Sequence, residues 1–115
     1  MAAPDLMEKP LVWLEDEIKT PPFSPAARIE AGFLLRRLQC GDKLSMPHAR
    51  TMSSIGRRCM ELRIPDASIA WRIVVRVDAD AVVIAGIFSM KTSKMPKQIM
   101  EKCRQRLRDY DHACQ

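Results

Sequence analysis

Between residues 58 and 88 the apolar side chains alternate along the chain, and this run restricts the possible folds more than any other feature. In residues 58–64, Met60, Leu62 and Ile64 face one way and Cys59, Glu61 and Arg63 the other, because side chains of an extended chain project alternately. Pro65-Asp66-Ala67-Ser68 has turn composition. In residues 69–77 the large apolar residues Ile69, Trp71, Ile73, Val75 and Val77 then alternate with Ala70, Arg72, Val74 and Arg76. Asp78-Ala79-Asp80 turns the chain again. Residues 81–88 are apolar at every position except Gly86, as a strand covered on both faces requires. Three consecutive strands joined by short turns predict a meander.

The flanking segments change period. Residues 9–14 (KPLVWL) form a short apolar run suited to a first strand, and Pro21-Pro22 imposes a loop after it. Ser24-Pro25 is an N-cap and first-turn pair, Ile29, Phe33, Leu34 and Leu38 recur at helical spacing, and Gly41 stands past the end. This predicts an amphipathic helix over residues 25–40 with that stripe turned to a sheet. Residues 42–57, with Pro47, His48 and Gly56, show no sustained period and read as a loop. A last helix is predicted over residues 96–110, with Pro96 at its first position and Ile99, Met100, Cys103, Leu107 and Tyr110 as its apolar stripe. Its other face carries Lys97, Lys102, Arg104, Arg106 and Arg108. The fold class is therefore α+β: a small antiparallel sheet, a meander of three strands plus an N-terminal strand, flanked by helices.

The chain of 115 residues, 47% of them hydrophobic, is expected to fold as a single domain over residues 1–115 with its core in about 9–110. Its longest apolar run is far shorter than the ~18–20 residues that span a bilayer. The first residues, with Pro4, Asp5 and Glu8, lack the basic-then-apolar layout of a secretory signal. A cytoplasmic protein with no membrane partner is expected. Cys40, Cys59, Cys103 and Cys114 have no C-x-x-C spacing and there are two histidines, so neither a metal site nor a cofactor is expected. Cys59 and Cys103 read as small buried apolar residues, and Cys114 as a tail thiol.

Charge is distributed unevenly. Residues 1–56 hold seven Lys/Arg and seven Asp/Glu, whereas residues 57–108 hold twelve against five, a net of +7. Residues 109–115 add two acids and bring the total to +5. An excess confined to one half is the electrostatic footprint of a phosphate-rich partner. The alternation puts Arg63 and Arg72 on the same side of adjacent strands. Two guanidinium groups on an exposed concave face repel each other until a phosphate sits between them and accepts bidentate hydrogen bonds. Lys91 and Lys94 follow the third strand of the meander and would extend the positive surface. Spacing alone leaves surface salt bridges an equally good reading of these four residues.

Four blocks, Met60-Glu61-Leu62-Arg63, Trp71-Arg72-Ile73-Val74, Ile87-Phe88-Ser89-Met90-Lys91-Thr92 and Lys94-Met95-Pro96, resemble in order and spacing the E-L-R, Y-R-V, F-x-K-K-T and K-T-P blocks of HigB-like toxins, the phage-derived group of the RelE superfamily. The resemblance runs from about Lys9 to Tyr110. It implies a compact antiparallel sheet flanked by helices that acts as a metal-independent endoribonuclease on mRNA, usually in the ribosomal A site, and is held in check by a small helix-turn-helix antitoxin. In such a site the ribose 2′-hydroxyl attacks the neighbouring phosphate while positive side chains stabilise the developing charge.

Carried over by position, Arg72 is the first candidate for phosphate stabilisation, Lys91 the second and Arg63 a supporting contact, with Lys94, Arg76 and Lys97 as further RNA contacts. Glu61 is a possible general base, and equally an ion-pair partner that orients Arg63. His48, the histidine of the middle loop, is a weaker candidate base. Met90, Trp71 and Met95 depart from the pattern, where a lysine, a tyrosine and a threonine are usual. A RelE-like module that has lost catalysis and holds RNA or a protein partner is the alternative function, and a purely structural phage-derived protein would leave the +7 segment unused.

Overall fold

The computed structural model describes residues 8–92 and 94–115. The sequence reading of residues 1–7, with the absence of a secretory signal there, lies outside the described residues. Among them the chain runs β1 (Leu11–Trp13), α1 (Pro25–Gln39), β2 (Ala49–Thr51), β3 (Cys59–Asp66), β4 (Ile69–Val77), β5 (Val82–Met90) and α2 (Lys97–Ala113). The strands form one sheet in the order β1-β5-β4-β3-β2. Its centre is the expected meander, β3 antiparallel to β4 and β4 to β5. The N-terminal strand adds to β5 in parallel, Leu11 opposite Val82, so the sheet is mixed where a uniformly antiparallel one was expected.

Alternation sorts the sheet into two apolar faces. Leu62, Ile64, Trp71, Ile73, Val75, Val82 and Ile84 pack beneath α1. Cys59, Val74, Val83, Ala85 and Met90 pack with Cys103 and Leu107 of α2. An extra residue, Ala85, lies between the pairs Val74–Gly86 and Val75–Ile84, and this bulge keeps both halves of β5 facing correctly. Each fully buried Leu or Ile in these layers contributes about 1.5–3 kcal/mol.

Helix α1 starts where expected: the Ser24 hydroxyl accepts from Ala27 N at 3.1 Å and Pro25 occupies the first turn. Its buried face matches the expected stripe at Leu34 and Leu38 and departs from it at Ile29 and Phe33. Ala27, Ala31, Leu34, Leu35 and Leu38 face the sheet, while Ile29 and Phe33 are 73% and 60% exposed. Those five positions fall on one side of the helix at 3.6 residues per turn, and Ile29 and Phe33 fall on the other. Arg37 lies over the Phe33 ring, 6.0 Å from its centroid.

Helix α2 has Pro96 as its N-cap, one residue before the first helical position, and it continues past Tyr110 to Ala113. Within residues 42–57, read as a loop, lies β2. Its three residues include one buried side chain, Ala49, too few to display a period; pairing with β3 makes it a strand.

Candidate nucleic-acid interface

Register brings the candidate side chains together. Arg63 stands directly opposite Arg72, and Arg72 opposite Phe88. One step along, Arg50 of β2 stands opposite Glu61, and Glu61 opposite Val74. All lie on the α2 face of the sheet, so Arg63 and Arg72 share a side as the alternation requires.

The face is not open at Arg72. That residue is 4% exposed and Glu61 is 1% exposed, whereas the sequence reading placed Arg72 on an exposed concave surface. Alternation assigns a residue to a face but carries no information on what covers it, and here the connection after β5 folds over the strand. Glu61 Oε2 accepts from Arg72 Nη1 at 3.0 Å, and Glu61 Oε1 accepts from Arg63 Nε at 3.0 Å. Arg72 Nη2 also donates to the Thr92 carbonyl at 3.1 Å. One buried carboxylate thus neutralises the repulsion between two arginines, and Arg72 ties that pair to the segment that carries Lys91 and Lys94.

Beside this network opens a cavity of about 230 Å³, lined among others by Arg50, Ser53, Ser54, Glu61, Lys94 and Met100. Arg50 and Lys94 are exposed and Arg63 is partly exposed. Arg63 and Arg72 thus hold the Glu61 carboxylate, and Arg50 and Lys94 line the cavity that this carboxylate also lines. Sequence reasoning missed Arg50; the signal for it is a strand of three residues, legible only through its pairing with β3. Lys91 and Lys97 are exposed at either end of the same connection, and Ser93 between them lies outside the described residues.

Other candidates fall elsewhere. Arg76 sits four residues beyond Arg72, or ~13 Å along the strand. There it meets Asp78 at 2.8 Å and Asp111 at 2.7 Å. Its hydrogen bond to Asp111 raises the guanidinium pKa further, and the Asp111 carboxyl is correspondingly lowered. The structure does not bring Arg76 together with the other candidates. His48 Nδ1 faces Glu30 of α1 at 3.7 Å, on the opposite side of the sheet from Glu61.

The residues that depart from the toxin blocks are core residues. Met90 and Met95 are buried beneath α2. Trp71 stacks on Phe23 with ring centroids 4.0 Å apart and donates from Nε1 to Asp66 at 2.9 Å.

Among the described residues no group of three His, Cys, Asp or Glu side chains is placed to hold a metal ion. None of the helices there is long and apolar enough to cross a membrane.

Fold and site together define a small α+β domain, a five-stranded mixed sheet between two helices with a cationic cleft at one end of one face. The chain belongs to the Phage derived protein Gp49-like family (DUF891), which matches residues 19–108. No curated protein and no solved structure matches it.

Proposed function

We propose that this chain is the toxin of a toxin–antitoxin pair, a RelE/HigB-like endoribonuclease that cuts mRNA on the ribosome without a metal and so stops translation. The observation that carries the reading is an open cleft lined by Arg50, Lys94 and Glu61, with Arg63 and Arg72 holding the Glu61 carboxylate from beside it. Membership of a phage-derived family and the four sequence blocks support it.

In this reading the RNA backbone lies across the cleft. The 2′-hydroxyl gives up its proton to solvent as it attacks the adjacent phosphorus, the bond to the 5′ oxygen breaks and that oxygen takes up a proton from solvent, and a 2′,3′-cyclic phosphate remains. Lys91, Lys94, Arg63 and Arg50 stabilise the charge that develops on the phosphate oxygens. Buried, Arg72 and Glu61 act as positioning residues: the first holds the connection after β5, the second aims Arg63. Lys97, exposed in the first turn of α2, adds a backbone contact. A small helix-turn-helix antitoxin is the expected partner, its acidic segment drawn to the same positive surface.

One observation favours the second reading, a module that holds RNA without cutting it: the carboxylate lining the cleft is engaged by two arginines. Purified protein incubated with translating ribosomes separates the two. The toxin yields codon-spaced cuts in the mRNA; intact message with bound protein establishes the module. Co-expression with the neighbouring reading frame, followed by affinity capture, tests the antitoxin.

A further inference from the structure

Helix α2 and the segment before β3 enclose a second recess, of about 300 Å³, and five of its lining residues are arginines: Arg57, Arg58, Arg76, Arg104 and Arg108. Carboxylates offset part of this charge. Arg76 pairs with Asp78 and Asp111, Arg58 with Asp78 at 3.3 Å, and Arg104 with Glu101 at 2.6 Å. Five guanidinium groups against three carboxylates leave the recess positive by two charges. The surplus lies on Arg57 and Arg108, both exposed and neither in an ion pair among the described residues. Arg58 is held at φ 63, a left-handed conformation that glycine would adopt more easily, with a side chain 55% exposed.

We propose that this recess is a phosphate subsite for the RNA backbone, gripping a strand that runs on from the cleft beside Glu61. The inference rests on the RNA reading of that cleft. Ser54 lines the cleft, and its carbonyl accepts from Arg104, which lines the recess. Met100 lines the first, and Arg104 and Arg108 line the second at successive turns of α2, ~6–12 Å further along the helix. A stacked strand rises ~3.4 Å per nucleotide, so the recess meets a phosphate about two to four nucleotides away. Guanidinium forks match phosphate oxygens in pairs. An acidic peptide would need apolar anchors as well, and the apolar lining residues Ile55, Cys59 and Leu107 are all buried.

The test is binding of a fluorescent 2′-O-methyl RNA, which lacks the attacking hydroxyl, to the full chain and to the double variant Arg57→Glu/Arg108→Glu across a salt series. An RNA of about eight nucleotides reaches both sites at ~3.4 Å per nucleotide; a dinucleotide does not. The expected result is that the variant binds the longer RNA about tenfold more weakly. Its plot of log affinity against log salt is flatter by about 1.4, two phosphates at ~0.7 each. Its affinity for the dinucleotide and its thermal midpoint are those of the parent chain. Equal affinity and slope for the longer RNA overturn the subsite. So does failure of the parent chain to bind it, and so does loss of polyglutamate binding with RNA binding intact, which makes the surface a protein-docking site. Because this RNA cannot be cut, absence of mRNA cleavage on ribosomes would overturn the toxin reading while leaving the subsite standing.

Discussion

The Glu61 carboxylate lies 3.0 Å from Arg72 Nη1, with the two side chains 2% and 5% exposed, so an ion pair is buried between the sheet and the connection after β5. Removing one member of a buried pair leaves a desolvated charge behind and costs ~3–5 kcal/mol, a large share of the ~5–15 kcal/mol that holds a domain together. Arg72→Ala should therefore lower the urea midpoint sharply. A double variant, Glu61→Met/Arg72→Met, should recover much of the loss, since it removes both buried charges and takes the carboxylate only from Arg63, whose side chain is 22% exposed and can be solvated. Wild-type stability in Arg72→Ala together with lost RNA cleavage would show instead that the guanidinium serves the substrate.

Lys91 and Lys94 are exposed, and their replacement should separate activity from stability. Each alanine variant should unfold within about 0.5 kcal/mol of the parent chain. Loss of a donor to the developing phosphate charge should slow cleavage by ~10²-fold. Lys102→Ala, on the exposed face of α2, should change the rate little. Initial cleavage rates set beside thermal midpoints decide the matter, and full activity in both Lys91→Ala and Lys94→Ala removes the proposed site.

Asp66 gives stability a dependence on acid. Its carboxylate accepts from Ser24 N at 3.0 Å and from Trp71 Nε1 at 2.9 Å, and the backbone bond from Ser24, then the indole bond, hold its pKa below the usual 3.8. A depressed carboxylate stabilises the fold fully above its unfolded-state pKa and stops doing so as pH falls through the lower folded value. The stability difference between the parent chain and Asp66→Asn should stay constant from about pH 5 to 8 and shrink below about pH 4. Urea midpoints against pH measure it; a difference that persists at low pH contradicts the linkage.

Thiol reactivity should divide the cysteines in pairs. Burial pushes the Cys103 thiol up to about 11 and raises Cys59 as well, while Cys40 and Cys114 are exposed. Because the thiolate is the reactive form, a water-soluble aromatic disulfide at about pH 8 should consume Cys40 and Cys114 quickly and the other pair only on unfolding. Four rapidly reacting thiols in the native protein would contradict the packing beneath α2.

Much of this architecture is legible in the chain. The meander follows from alternation in β3 and β4, and the start of α1 from Ser24-Pro25, because both signals arise within a few residues of where they act. The strand β2 is illegible for the same reason, since three residues with one buried side chain display no period. Arg50 stayed hidden with it, although it stands opposite Glu61 in the cleft.

By itself the sequence determined the order of the elements other than β2, and the face of the sheet on which the residues of β3 and β4 fall. Both depend on local geometry, 3.6 residues per turn or two per pleat. Only the tertiary structure decided which of those faces meet water. Ile29 and Phe33 are apolar and exposed because α1 packs on the sheet through its other side, Ala27, Ala31, Leu34, Leu35 and Leu38. Arg72 and Glu61 are charged and buried because each neutralises the other where the connection after β5 closes over them. Burial is set by what packs from a distance in the chain, and no stretch of neighbouring residues carries that information.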